Sequence, residues 1–154
     1  MKKIFFLFCF VFSTHIHSET VTLLESLSFG EFVVINNNTI SEITVGVDGR
    51  TRSNNAIGQL SQGQPAEFLL TDFTVFTELY ITGIILTAQT TSPTAPFDSA
   101  QFTVAKIEVV PSVRTDHSGS TSFKVGLTFQ TSGNPAEHYY DADYIGRIQL
   151  TINY

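Results

Sequence analysis

Side chains along an extended strand point alternately to opposite faces, so an apolar residue at every second position marks a half-buried strand. Residues 144–154 have that period. Tyr144, Ile148, Leu150, Ile152 and Tyr154 fall on one side, and Arg147, Gln149, Thr151 and Asn153 on the other. The pattern recurs at Phe123, Val125, Leu127 and Phe129, with Ser122, Lys124, Gly126 and Thr128 between them. Two strands of one sandwich are predicted.

Upstream, Val21, Leu23, Leu27 and Phe29 share a face that only Glu25 interrupts. This segment reads either as an ordinary first strand or as a donor strand that completes a neighbouring subunit. Residues 31–35 continue as a strand and stop in the polar cluster Asn36-Asn37-Asn38-Thr39. Asn37-Asn38-Thr39 also has the form of a glycosylation acceptor, which we read as chance. Ile43, Val45 and Val47 alternate before Asp48-Gly49, a pair suited to a tight hairpin turn. Residues 53–63 read as a loop or an irregular edge, and a strand follows Pro65.

The long apolar run of residues 76–86 contains Gly83, which predicts a bulge there. Residues 87–96 form a surface loop rich in Thr, Ser and Pro. Over residues 102–110 the apolar face changes phase, from Phe102 and Val104 to Ile107 and Val109. A bulge near Ala105 and Lys106 accounts for the change. Residues 116–120 form a turn and residues 132–140 the last long loop. No amphipathic helical stretch follows the first residues, so an all-β, immunoglobulin-like antiparallel sandwich of seven to nine strands is predicted.

The start of the chain is of another kind. Met1-Lys-Lys precedes an apolar run from Ile4 to Phe12, then Ser13, Thr14 and Ser18. That order describes a secretory signal peptide over residues 1–18, leaving one domain over residues 19–154, and the run is too short for a stable membrane span. The expected location is the periplasm, cell surface or extracellular space. The only cysteine, Cys9, lies in the leader, so the mature domain relies on its core without disulfides. Without Lys2 and Lys3 the net charge moves from −6 to −8, which argues against nucleic acid and anionic membranes as partners.

Chemistry-bearing groups are sparse. His117 sits in a turn beside Asp116 and Ser118, no Gly-x-Ser-x-Gly elbow is present, and no catalytic residue, cofactor or metal site is assigned. One cluster stands apart: Glu137, His138, Tyr139, Tyr140, Asp141 and Asp143 form a speculative ligand loop for a sugar or a divalent cation. Its spacing fits no standard metal loop, and a solvated acidic loop whose tyrosines cover the sandwich end is the plainer reading.

Short motifs spread along the chain resemble those of the bacterial domain-of-unknown-function 4402 family. They are Leu27-Ser-Phe-Gly30, Asp48-Gly-Arg-Thr51, Gly63 with Pro65-Ala-Glu-Phe68, Phe102-Thr-Val104, Lys124-Val-Gly126, and Tyr144-Ile-Gly146 leading into Leu150-Thr-Ile-Asn-Tyr154. The resemblance implies a secreted β-sandwich without enzymatic activity, of a surface or pilus-like kind. The loop of residues 132–143 departs from the family pattern in length and aromatic content. The chain's ending is also similar to that of chaperone-usher pilus subunits, which lack one strand and receive it from the next subunit.

Together these readings predict a non-enzymatic surface or fimbria-like subunit that assembles by strand addition. Val21, Leu23, Leu27 and Phe29 are its donor residues, and Ile148, Leu150, Ile152 and Tyr154 its C-terminal edge strand. The partners expected are copies of itself or related surface subunits and an assembly chaperone. The alternative is a monomeric binding module for a glycan or divalent cation.

Overall fold

The computed structural model describes residues 18–154, so the expected leader lies outside the described residues apart from Ser18. Eleven strands follow in chain order: β1 (Thr20–Glu25), β2 (Phe32–Val34), β3 (Glu42–Val45), β4 (Thr51–Ser53), β5 (Ile57–Gln59), β6 (Ala66–Thr71), β7 (Glu78–Ile85), β8 (Thr103–Val109), β9 (Ser112–Arg114), β10 (Thr121–Gln130) and β11 (Ile148–Asn153). Every pairing between them is antiparallel. The described residues are all-β, and no helix among them is long and apolar enough to cross a membrane. The count exceeds the seven to nine expected because β4, β5 and β9 are three-residue strands, too short to show a period.

β10 organises the larger sheet. Residues 121–125 pair with β6, residues 127–130 pair with β3, and residues 125–130 pair with β8. β1 adds to β6 and β4 to β3, giving the order β1-β6-β10-β3-β4 with β8 beside β10. The second sheet has the order β11-β7-β9, and β2 and β5 form a separate ribbon. Alternation directs Phe123, Val125, Leu127 and Phe129 inward, all of them buried. Two apolar clusters result, one around Phe102 and Phe129 and one around Leu70 and Phe123. Leu27, Ile107 and Ile148 pack against both. Burying each such large side chain contributes about 1.5–3 kcal/mol.

Several local expectations are met. The bulge in β8 lies where the apolar phase changes: Thr128 faces Lys106 and Phe129 faces Val104, so Ala105 is the extra residue. Asp48-Gly49 turns β3 into β4, with Gly49 at φ 77°, a value that a side chain would strain. The acceptor-like Asn37 is buried. Its amide donates to Ser132 Oγ at 2.9 Å and to the Asn134 carbonyl at 2.7 Å, tying the loop that follows β10 to the loop that precedes β3.

Others need correction. Of the two readings of residues 53–63, the loop gives way to the edge, because β5 forms there by pairing with β2. Gly83 makes no bulge: β7 pairs with β11 in unbroken register. Glycine is needed there because a Cβ would come within 2.9 Å of Ile107 Cγ2. The last strand begins at Ile148 rather than Tyr144. The preceding residues turn away, with Ile145 and Thr91 exchanging backbone hydrogen bonds at 2.8 and 2.9 Å.

The turn before β10 has an electrostatic signature. Asp116 accepts hydrogen bonds from the Ser118 hydroxyl and from the Ser118 and Ser120 N–H groups, which lower its pKa to about 2. A carboxyl lowered in the fold stabilises it above the unfolded value, and that contribution is lost as pH falls toward the folded value. The Ser118 and Ser120 amide resonances are therefore expected to hold steady down to about pH 4 and to shift together as pH approaches 2. Titration followed by NMR checks this, and Asp116→Asn should remove the transition.

Candidate functional site

β1 and β11 are the outermost strands of their sheets, and an apolar groove of about 560 Å³ runs between them. Val21 borders it from β1, and Ile148, Leu150 and Ile152 border it from β11. Leu27, Ala66, Phe68 and Phe123 complete the lining. Here Val21 remains 52% exposed and Leu23 51% exposed, although both belong to the apolar face of their strand.

The β11 edge is chemically open as well as apolar. The Leu86 N–H donates to the Arg147 carbonyl, which fixes the hydrogen-bonding parity of the β7–β11 pair. Gln149, Thr151 and Asn153 therefore turn their main-chain groups to β7. Ile148, Leu150 and Ile152 turn theirs to the open side, while their side chains line the groove. An added strand would find both a hydrogen-bonding edge and an apolar wall.

One end of the groove is clasped. The Tyr154 ring lies edge-on to Phe73 with centroids 5.2 Å apart. Its hydroxyl donates to the Glu19 carboxylate, and that bond, partial desolvation and the Glu19 charge hold the phenol above its ordinary pKa. Glu25, the residue that interrupts the apolar face of the first segment, is exposed and accepts from Gln64 Nε2 at 3.3 Å.

The residues named as donors divide into two groups. Val21 and Leu23 lie on β1, paired with β6 of their own chain. Leu27 and Phe29 lie inward, with the Phe29 ring stacked on Phe129 at 4.1 Å and Leu27 packed against both clusters. The edge residues Ile148, Leu150 and Ile152 come together along the groove, with Tyr154 at its clasped end. Phe68, Phe123 and Glu19 belong to the site without having been singled out from sequence. The alternation of β6 and β10 marks the first two as inward, and nothing local marks Glu19.

The acidic aromatic loop is placed differently. The Tyr139 ring stacks on Phe102 with centroids 4.3 Å apart, and its hydroxyl accepts from the Ser132 N–H at 2.9 Å. Tyr144 meets Phe102 edge-on at 4.8 Å, and its hydroxyl donates to the Tyr140 carbonyl and accepts from the Tyr140 N–H. Burial raises the Tyr144 pKa. Both tyrosines thus plug one end of the sandwich. Glu137 bonds Asn134, the His138 carbonyl accepts from Ala100, and Tyr140, Asp141 and Asp143 lie at the surface. Among the described residues no group of three or more His, Cys, Asp or Glu side chains is arranged to hold a metal ion.

A second, polar depression lies on the outer face of the larger sheet, with Thr44, Thr128, Glu42 and Gln130 in its lining. These groups satisfy each other: Thr44 and Thr128 share a hydrogen bond at 2.9 Å, and Gln130 donates to Glu42. The groove between β1 and β11 has no such internal closure, and it is the candidate site.

Comparison with curated proteins and with solved structures gave no match. A protein-family model matches residues 19–154, nearly the whole described chain and all of its strands. The chain belongs to the family described as a domain of unknown function, DUF4402.

Proposed function

We propose that this protein is a secreted, non-enzymatic structural subunit of a bacterial surface or fimbria-like assembly, joined to its neighbours by β-strand addition. The observation that carries the reading is the open groove, where one unpaired edge and a row of alternating apolar side chains face the same space. Strand addition uses main-chain hydrogen bonds for affinity and alternate side-chain pockets for specificity, and this groove offers both. The alternative reading, a monomeric binding module for a glycan or divalent cation, draws on the acidic aromatic loop. Tyr139 of that loop and Tyr144 just beyond it are engaged in packing against Phe102.

Electrophoresis in SDS of the native protein extracted from its own cell surface, with and without boiling, tests the proposal. A ladder that collapses to one band only on boiling is the expected result, because an inserted strand is held by a hydrogen-bond ladder and a buried apolar face. A single monomer band under both conditions would overturn the strand-addition reading.

A further inference from the structure

β1 differs from every other strand in how it is held. All six of its residues are exposed, and its only strand partner is β6. At its far end the ladder register shifts between Leu23 and Glu25, and Glu25 stands opposite Glu67, which Lys124 on β10 meets at 3.5 Å. Immediately beyond, the chain is firmly anchored. Ser28 and Gln64 exchange two backbone hydrogen bonds at 2.9 and 2.7 Å, and Phe29 is buried against Phe129. The segment thus divides at Ser26 into a loosely held strap and a fixed root.

We propose that β1 is the exchanged element: the β1 of one copy leaves its own β6 and pairs with β6 of a second copy. This rests on strand addition as the mode of joining and gives the added strand a seat on β6, beside the groove, with the β11 edge left open. The fit follows from identity. A second copy's β1 reproduces the home register, Thr20 opposite Thr71, Val21 opposite Leu70, Thr22 opposite Leu69 and Leu23 opposite Phe68. Each release vacates one place and frees one strand, so the exchange balances in any number of copies. Since the contacts made equal those lost, only the short tether around Ser26 changes conformation, which is the low-cost condition for swapping. The open groove provides the way out and in, since no strand beyond β1 has to move. Leu27 and Phe29 remain with their own core and act as the root of the donor rather than as part of it.

Disulfide trapping tests the exchange. In a Cys9→Ser background, one preparation carries Thr22→Cys and another Leu69→Cys, opposite positions on the outward face of the β1–β6 pair. The two are mixed after folding and oxidised. A mixed disulfide linking T22C to L69C is expected, and it should be absent when Thr82→Cys, on β7, replaces T22C. The T22C/L69C double variant, measured as monomer, shows that the pair closes a bond. If it does not, Thr20 and Thr71 serve in the same way. Copies that assemble without the mixed disulfide would overturn β1 as the donor and leave strand addition standing. Copies that neither assemble nor cross-link would overturn both.

Discussion

Replacing Leu150 by lysine is expected to leave the sandwich folded and, where the added strand seats in the groove on the β11 edge, to abolish assembly. Leu150 lines the groove and is only partly buried in the free protein, so a lysine there can keep its ammonium in water while its stem lies along the apolar wall. A strand seated in the groove removes that water. An unpaired charge trapped in this way costs about 3–5 kcal/mol, which lowers the assembly constant at least about a hundredfold. Size-exclusion mass measurements should show monomer at concentrations where the parent protein is polymeric, and circular dichroism should show the same strand content. Assembly at parental strength would remove the groove from the interface and is the result that exchange of β1 onto β6 gives. Thr151→Lys is the matched control, because its side chain lies on the opposite face of β11 and should change little.

Truncating Phe102 to alanine is expected to be the most damaging single change to the fold. Phe102 is 1% exposed and touches four aromatic rings: Phe32, Phe129, Tyr139 and Tyr144. Large-to-small changes at such sites cost about 3–5 kcal/mol through lost burial and the cavity left behind. That is a large fraction of the stability of a domain this size. The loss should appear as a lower midpoint in chemical denaturation with little change in slope. It should also release the loop of residues 132–147, since Tyr139 and Tyr144 both rest on this ring. A drop below about 1 kcal/mol would mean that the aromatic plug collapses without cost.

Much of this architecture can be read from residue alternation, and the exceptions share a cause. β10 is legible because ten residues hold one period, and the bulge at Ala105 is legible because the period breaks once and resumes. β5 is not, because three residues with one large apolar side chain have no period, and only the partner strand β2 makes them a strand. Tyr144 is in phase with Ile148 to Tyr154, yet its ring belongs to a different packing group. The groove is the hardest feature to foresee. Sequence marks Ile148, Leu150 and Ile152 as inward and as an edge, but the open space between β1 and β11 is a property of the assembled sheets and leaves no mark on either segment alone.

The central position of β10 also sets a schedule for the chain's maturation. β3, β6 and β8 all pair with it, across separations of roughly 80, 55 and 20 residues, and it begins only at Thr121. Until that residue emerges from synthesis, the larger sheet can exist only as the β3–β4 hairpin, the β1–β6 pair and unpaired β-prone segments, the species most exposed to aggregation. Collapse to the finished sandwich is therefore expected to be abrupt and late.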